Sequence, residues 1–243
     1  MAISGNNIGA GNHTSAATSV GIAPAINCTA GATVVLAIYY DNSGTNGADP
    51  FNTISDGHGN TWTERYRILN DPGAADAGLV LGVFTTRQDV ATLTTGSTIT
   101  IDFGAFSVTE KYWTITEFTS SIGYVDFVTG GSETGNSTSN TITTGSITSG
   151  NVAFVAQASD QISGTPTGDA DTTNGNWSTA MYSDVSVEDC LTQYKITTGT
   201  GTQAHTLSYN GASGDYCAVW MELNEVEIAS AQDPFGQFGF FGI

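Results

Sequence analysis

Five sequence blocks of the first half of this chain recur in its second half, and this internal repeat constrains the fold more than any other feature. The clearest pair is GATVVLAIYYDN and GNVAFVAQASDQ, two apolar runs that each end in an acidic turn. The last pair, KYWTITEF and YCAVWMEL, places Glu117 and Glu222 at equivalent positions. Repetition in one order predicts a duplicated unit that folds twice. The paired blocks are 31–42 with 150–161, 59–66 with 175–182, 79–87 with 191–199, 98–103 with 204–209, and 111–118 with 216–223.

Each copy has the pattern of short antiparallel strands. Apolar residues alternate with polar ones, as in Ile99, Ile101 and Phe103, which a strand would place on one face. Turn signals such as Asp56-Gly57 separate the apolar runs. No segment has a helical period of useful length, so helices are not expected. In the first copy we expect strands near 18–26, 33–40, 60–68, 78–86, 98–103 and 110–119.

These patterns predict an all-β protein made of two tandem antiparallel β-sandwich domains, jelly-roll-like in arrangement and derived from an internal duplication. We place the first domain at 1–129 and the second domain at 130–226. Residues 227–243 then form a Phe- and Gly-rich tail outside both domains.

The charge balance excludes two classes of partner. The chain of 243 residues carries 23 acidic and 5 basic side chains, which gives a formal net charge of −18. A chain of this charge repels the phosphates of nucleic acids and of anionic membranes, and we expect it to bind neither. Because only 12% of the residues are charged, the polar surface must consist largely of Thr, Ser, Asn and Gly.

The three cysteines are expected to be buried thiols. Cys28, Cys190 and Cys217 lie in or beside apolar strand patterns, at spacings that match neither a disulfide framework nor a zinc motif. A Cys190–Cys217 disulfide is the alternative.

The N-terminal segment MAISGNNIGAGNHTSAATS lacks the basic and apolar regions of a signal peptide. The Thr-, Ser- and Gly-rich composition is nonetheless typical of proteins that function outside cells. A virion protein, which assembles in the host cytoplasm and then becomes extracellular, fits both features. A secreted chain whose signal has been removed fits them too.

The C-terminal tail is unusually apolar for an exposed segment. After Val226 the chain reads EIASAQDPFGQFGFFGI, in which glycines separate the large apolar residues. We expect this tail either to dock in a groove on a neighbouring subunit or to fold back on its own domain. The expected docking residues are Phe235, Phe238, Phe240, Phe241 and Ile243.

No arrangement of histidines indicates catalysis. None of His13, His58 and His205 has another histidine or a cysteine at metal-ligand spacing, and the sequence contains no nucleophile elbow. We expect His58 in a turn and His205 on the exposed face of a strand.

The best carboxylate pair for glycoside hydrolysis is Glu117 and Glu222, but these residues occupy equivalent places in separate copies. We therefore expect them to serve the fold, by capping a strand end or by pairing with Arg65 or Lys111. The protein is expected not to be an enzyme.

The better of two candidate metal sites is a weak calcium site, ahead of Asp41, Asn42 and Asp49 in the first copy. Asp169, Asp171 and Asn174 lie in a single loop and offer the oxygen ligands that calcium prefers, although their spacing differs from that of an EF-hand. A solvated acidic loop is the alternative. No cofactor is required by the expected function, and calcium is the only option that the sequence offers.

Aromatic residues would permit carbohydrate binding without indicating it. Trp62 and Trp177 are equivalent across the repeat and are expected to be core or strand-edge anchors, whereas Tyr39, Tyr40 and Tyr66 are expected at the surface. A carbohydrate-binding module or adhesin that recognises host glycans, with or without calcium, is therefore the alternative function.

The segment TISDGHGNTWTERYRI resembles a hairpin that recurs in β-sandwich proteins of tailed-phage structural genes and of bacterial surfaces. In that pattern a turn leads into GNTWT, and a later Glu-aromatic pair closes the unit, as Glu117-Phe118 does here. The second copy differs, since it has GNWST and Glu222-Leu223. The resemblance implies a virion or surface role and carries over no catalytic residue.

Together these features lead us to expect a non-enzymatic virion structural protein, such as a capsid decoration protein, a head fibre or a tail accessory protein. Its partners would be capsid or tail subunits and further copies of itself in a homo-oligomer.

Overall fold

The computed structural model describes residues 3–41, 49–71, 78–160, 165–185, 188–208 and 213–228. Within these ranges the chain forms strands and connecting loops and contains no helix, which confirms the predicted all-β class. It follows that this part of the chain has no helix long and apolar enough to cross a membrane.

The described residues form fifteen strands. The strands of the first half are β1 (Ile3–His13), β2 (Ser19–Ile22), β3 (Thr33–Asp41), β4 (Thr53–Asp56), β5 (Trp62–Asn70), β6 (Leu79–Arg87), β7 (Ile99–Asp102) and β8 (Lys111–Ser120). The strands of the second half are β9 (Gly123–Ser137), β10 (Ser139–Thr143), β11 (Val152–Asp160), β12 (Met181–Val185), β13 (Glu188–Ile196), β14 (Ala204–Ser208) and β15 (Gly214–Glu227).

These strands pair into four antiparallel sheets. The first large sheet has the order β1-β8-β3-β6-β5, and the second large sheet has the order β12-β13-β11-β15-β9. A three-stranded sheet has the order β2-β7-β4, and a two-stranded sheet contains β10 and β14. An isolated bridge between Thr167 and Ser208 adds one more residue beside β14.

The two large sheets pack face to face and share the central core. Successive residues of a strand point to opposite faces, and in β3 the side chains of Val35, Ala37 and Tyr39 join this core. From the other sheet, β11 contributes Phe154 and Ala156 to the same core. The apolar contacts of each half are therefore completed by the other half.

The outer faces of the large sheets are covered by the small sheets. Val34, Leu36 and Ile38 of β3 pack in a second core with Ile99 and Ile101 of β7. A smaller outer core forms between β11 and the two-stranded sheet. The molecule thus has four layers, and β3 and β11 are buried along almost their whole length because both of their faces are covered.

Hydrogen bonds also join the two halves. The Thr192 hydroxyl donates to the Thr114 hydroxyl at 3.1 Å inside the core. The Ser120 hydroxyl donates to the Glu225 carboxylate at 2.6 Å, and the Asn70 amide donates to the carbonyl of Gly135 at 2.8 Å.

Most predicted strands of the first half occur close to their expected positions, and β1 and β4 were not anticipated. The predicted domain boundary at residue 129 lies inside β9. This strand pairs along its whole length with β15, so residues 123–129 belong to a sheet of the second half.

Candidate binding cleft

The predicted site residues lie in different parts of the molecule. The docking residues Phe235, Phe238, Phe240, Phe241 and Ile243 fall outside the described residues, and their role stays a prediction. Within the described chain, no group of three or more His, Cys, Asp or Glu side chains is arranged to hold a metal ion.

The candidate calcium loop holds its own carboxylates through hydrogen bonds. Asp169 accepts from the backbone N–H groups of Asp171 and Thr206, each at 2.6 Å. Asp171 accepts from the N–H of Thr173 at 3.1 Å and pairs with the ammonium group of Lys195 at 3.3 Å. Asn174 has a left-handed backbone with φ of 57°. Both carboxylates of the loop thus have partners within the protein, and calcium binding there stays a prediction.

Glu117 and Glu222 serve the fold, but not by pairing with Arg65 or Lys111 as one alternative expected. Glu117 accepts from the backbone N–H of Thr29 at 2.6 Å. Glu222 accepts from the backbone N–H of Thr148 at 2.9 Å and from the Asn151 amide at 2.7 Å. Each carboxylate therefore fixes the turn that precedes a central strand.

The expected exposure of His205 was wrong, because this histidine is completely buried. Its Nδ1 accepts from the Gln157 amide at 2.8 Å, and its Nε2 lies 2.8 Å from the Gln193 amide oxygen. Since Asn140 donates to the Gln157 oxygen, the amide orientations require a neutral ring that carries its proton on Nε2. Desolvation by burial lowers the pKa of His205 to about 4.

The expected turn position of His58 is confirmed. Asp56 accepts hydrogen bonds from the backbone N–H groups of His58 and Asn60 and from the Trp62 indole. Burial opposes ionisation of Asp56, but these hydrogen bonds lower its pKa overall. The His58 ring lies 2.6 Å from the Ser97 hydroxyl, and so it helps to close the loop.

All three cysteines are buried free thiols, as expected. The alternative Cys190–Cys217 disulfide is wrong, because both cysteines pair with Ala158 from opposite sides of β11. Two strand spacings separate them by about 10 Å, and a disulfide needs Cα atoms within about 7 Å.

The expected surface position of Tyr39 and Tyr40 was also wrong. Both residues are buried, because consecutive residues of a central strand face two different covered layers. Trp177 is buried and packs edge-to-face against His205 with ring centroids 4.8 Å apart, which agrees with its expected role as an anchor.

The five basic side chains are distributed unevenly. Lys111 is buried and donates to backbone carbonyls, including that of Ser15 at 2.8 Å. Lys195 is buried beside Asp171, and Arg67 pairs with Asp49 at 2.9 Å. The two remaining arginines, Arg65 and Arg87, line the same surface cleft.

This cleft is the candidate functional site. It has a volume of about 390 Å³ and lies between β5, the end of β6 and the beginning of β9. It is thus built where the edges of the two large sheets meet. The side chains that matter for its chemistry are Thr63, Arg65, Arg87, Asp89, Tyr124 and Asp126.

Each arginine is held by a carboxylate and an aromatic ring. Arg65 pairs with Asp126 at 3.3 Å and lies over the Phe127 ring at 4.8 Å. Arg87 pairs with Asp89 and lies over the Tyr124 ring at 4.1 Å. These contacts restrict the motion of both guanidinium groups before any ligand arrives.

Buried threonines fix the wall of the cleft. The Thr33 hydroxyl donates to the carbonyl of Val125 and so joins β3 to β9. The Thr85 hydroxyl accepts from Nε of Arg65 at 2.7 Å, and the Thr86 hydroxyl donates to the carbonyl of Thr61 at 2.8 Å. The cleft therefore has a preformed polar wall.

Sequence reasoning did not find this cleft. Arg65, Arg87 and Asp126 lie on three strands from both halves, and only the packing of the large sheets brings them together. The sequence offered one signal for the cleft: the chain has only five Lys and Arg residues, so few positions could supply a positively charged hydrogen-bond donor.

Comparisons with known proteins give no assignment. No protein-family model matches the chain, and neither a curated protein nor a solved structure is significantly similar to it.

Proposed function

We propose that this chain is a non-enzymatic structural protein of a virion, such as a capsid decoration, fibre or tail accessory protein. The observation that carries the proposal is the core shared by the two large sheets, which contains Phe118 of the first half and Phe154 of the second. A four-layer body of this kind suits a rigid spacer between other subunits. The assignment to a virion rests on the resemblance of the GNTWT hairpin to phage structural proteins.

An origin by internal duplication is part of the proposal, with each half a jelly-roll-like β-sandwich. Three observations support it. Strands β1-β8-β3-β6-β5 and β9-β15-β11-β13-β12 occur in corresponding sheet order. Glu117 lies opposite Val34 and Glu222 lies opposite Ala153, as the sequence alignment of the two copies requires. The glycines that open the first two paired blocks, Gly31 and Gly59 with Gly150 and Gly175, all have positive φ.

The use of charged side chains supports a structural role. Lys111 and Lys195 are buried and bonded to loop carbonyls. Glu117 and Glu222 hold turns. These groups, which could act as acids or bases in an exposed cleft, are engaged in maintaining the fold.

In this proposal the C-terminal tail attaches the body to capsid or tail subunits, and further copies of the chain assemble with it. Burial of apolar side chains such as Phe240 and Phe241 in a partner would provide the binding energy, roughly 25 cal/mol per Å² before the costs of association.

The direct experiment is to tag the chain in the genome that encodes it and to purify particles on a density gradient after nuclease treatment and a high-salt wash. We expect the tagged chain in the particle fraction at a constant ratio to the major capsid protein. Recovery of the chain only in the soluble fraction would overturn the proposal.

A second candidate function is recognition of host glycans, and the cleft between Arg65 and Arg87 favours it. The cleft combines fixed cationic donors, carboxylate acceptors and hydroxyl groups at one open surface. This is the chemistry that binds polyhydroxylated ligands. The two functions are compatible, since a structural protein on a particle can also contact a host surface.

A further inference from the structure

The donors of the cleft are only partly used. Arg65 donates from Nε to Thr85 and from one terminal nitrogen to Asp126. Arg87 donates from Nε to Asp89. Within the described residues, the other terminal N–H groups of both guanidinium groups make no protein hydrogen bond, and so they can donate to a ligand.

The acceptors are also partly used. Asp126 Oδ1 accepts from Arg65 and from the backbone N–H of Phe127 at 2.8 Å. Asp89 Oδ1 accepts from Arg87. In the described part of the chain the Oδ2 atoms of Asp89 and Asp126 accept no hydrogen bond. Their side chains are 52% and 48% exposed, which leaves these oxygens accessible.

The charge of the cleft favours a neutral ligand. The charges of Arg65 and Arg87 are balanced by those of Asp89 and Asp126, while the whole chain carries −18. An anion would therefore approach a negatively charged protein and find both cations already paired. A neutral molecule with many hydroxyl groups meets no such barrier.

Hydroxyl groups match this mixture of donors and acceptors. A sugar hydroxyl donates one hydrogen bond and accepts others, so adjacent hydroxyls can bind a carboxylate oxygen and a guanidinium N–H together. An apolar ligand would leave these groups desolvated without partners, at a cost in free energy.

The size of the cleft limits the ligand. Its volume of about 390 Å³ is near the lower end of the range of about 300–1,000 Å³ for small-molecule sites. One or two sugar units fit this space, and the rest of a longer glycan would extend past Val90, a residue that is 67% exposed at the rim.

We infer that the cleft formed by Arg65, Arg87, Asp89 and Asp126 binds a neutral sugar unit of a glycan. This inference rests on the second candidate function and is independent of the virion assignment. It names the site and the ligand class, with neutral hexoses preferred over uronic acids and sulfated sugars.

The experiment uses the full chain. It is first tested on printed oligosaccharides that end in glucose, galactose, mannose or N-acetylglucosamine, together with uronic-acid and sulfated counterparts. The dissociation constant of the best probe is then measured by titration for the wild type and for Arg87→Gln and Asp126→Asn. Arg67→Gln is the matched control, because Arg67 also combines a carboxylate pair, with Asp49, and an aromatic contact, with Phe51, but lies outside the cleft.

We expect binding of a neutral probe that weakens about tenfold or more in each cleft variant and is unchanged in Arg67→Gln. If a cleft variant does not fold, Thr63→Tyr tests the same point, because Thr63 is exposed on β5 and a larger side chain there fills the cleft. Loss of neutral-probe binding in the Thr63→Tyr variant would support the inference.

Neutral-probe binding that persists in all cleft variants would overturn the inference and leave glycan recognition standing at another site. A preference for the acidic counterparts would overturn the ligand class. Absence of binding to every probe at millimolar concentration would overturn both the inference and the second candidate function.

Discussion

Glu117 and Glu222 make the same contact in the two large sheets: each lies beside a central strand and accepts a hydrogen bond from a threonine N–H in the turn before that strand. The distances are 2.6 Å from Thr29 to Glu117 and 2.9 Å from Thr148 to Glu222. Both carboxylates are almost fully buried. Such charge-assisted bonds hold the turns that start β3 and β11 in place.

Replacing one of these carboxylates should destabilise the protein without changing its fold. Glu222→Gln keeps the shape but removes the charge that Thr148 and Asn151 bind, so we expect the free energy of unfolding to fall by about 1–3 kcal/mol. Urea denaturation, monitored by circular dichroism, measures this free energy. Glu227→Gln, at an exposed position, is the control and should have no effect. If the two variants unfold at the same urea midpoint, the structural role of Glu222 is contradicted.

Acid should destabilise the protein through His205. Burial lowers the pKa of His205 to about 4, below its usual value of about 6.5. The unfolded chain therefore binds the proton more readily, and stability that is complete above pH 6.5 is lost as the pH falls towards 4. The loss is on the order of 3 kcal/mol.

The check compares urea midpoints at pH 7 and pH 4.5 for the wild type, His205→Gln and His13→Gln. We expect the pH dependence to shrink in His205→Gln, since the neutral amide cannot be protonated in this range. It should remain in His13→Gln, because His13 is exposed at the end of β1. Identical pH dependence in all three proteins would argue against the buried neutral ring.

The three thiols should be unreactive in the folded protein. Desolvation raises the pKa of Cys28 and of Cys190 to about 12 and raises that of Cys217 further, so the reactive thiolate is scarce at neutral pH. We expect an aromatic disulfide reagent to modify no cysteine in the native state and all three in urea. A reducing agent should leave the urea midpoint unchanged, and a lowered midpoint would reveal a disulfide.

Deleting residues 233–243 tests the proposed docking tail. We expect the truncated chain to remain folded, with the urea midpoint of the full chain, and to be absent from purified particles. The matched control replaces Gln232 and Asp233 by alanine and keeps the apolar residues. Normal incorporation of the truncated chain would refute the anchor role of Phe235, Phe238, Phe240, Phe241 and Ile243.

The sequence predicted the central strands because their apolar runs are long. Strands β3, β6 and β8 occur within one residue of the expected positions. Strand β1 was missed because ISGNNIGAGNH is rich in Gly and Asn, which have low β-propensity. This edge strand is stabilised by pairing with β8 over ten residue pairs, and local sequence does not reveal such pairing.

Burial was mispredicted where an additional layer covers a face. Tyr39 and Tyr40 point to opposite faces of β3, so a two-layer sandwich would leave one of them in solvent, whereas here both faces of β3 are covered. The burial of His205 could have been predicted from the alternation of residues along its strand. His205 alternates with Leu207 along β14, and both residues are buried.

The cleft could not be predicted because it depends on tertiary packing. Arg65 and Arg87 lie on neighbouring strands of the first large sheet, but Tyr124 and Asp126 belong to the second. The expected boundary at residue 129 placed all four residues in one domain, but it assigned residues 124–128 to no strand that would pack beside β5. Only a core shared by the two halves brings β9 against β5.

That shared core is the central claim, and hydrogen exchange during urea unfolding tests it most directly. Mass spectrometry can follow peptides that cover β3 and β11 separately in the wild type and in Phe154→Ala. Phe154 is buried against Phe118 with ring centroids 6.2 Å apart, and its removal should cost about 3–5 kcal/mol. We predict one midpoint for both peptides and an equal shift of both in the variant. Two separate midpoints, with only the β11 peptide shifted by Phe154→Ala, would contradict the account.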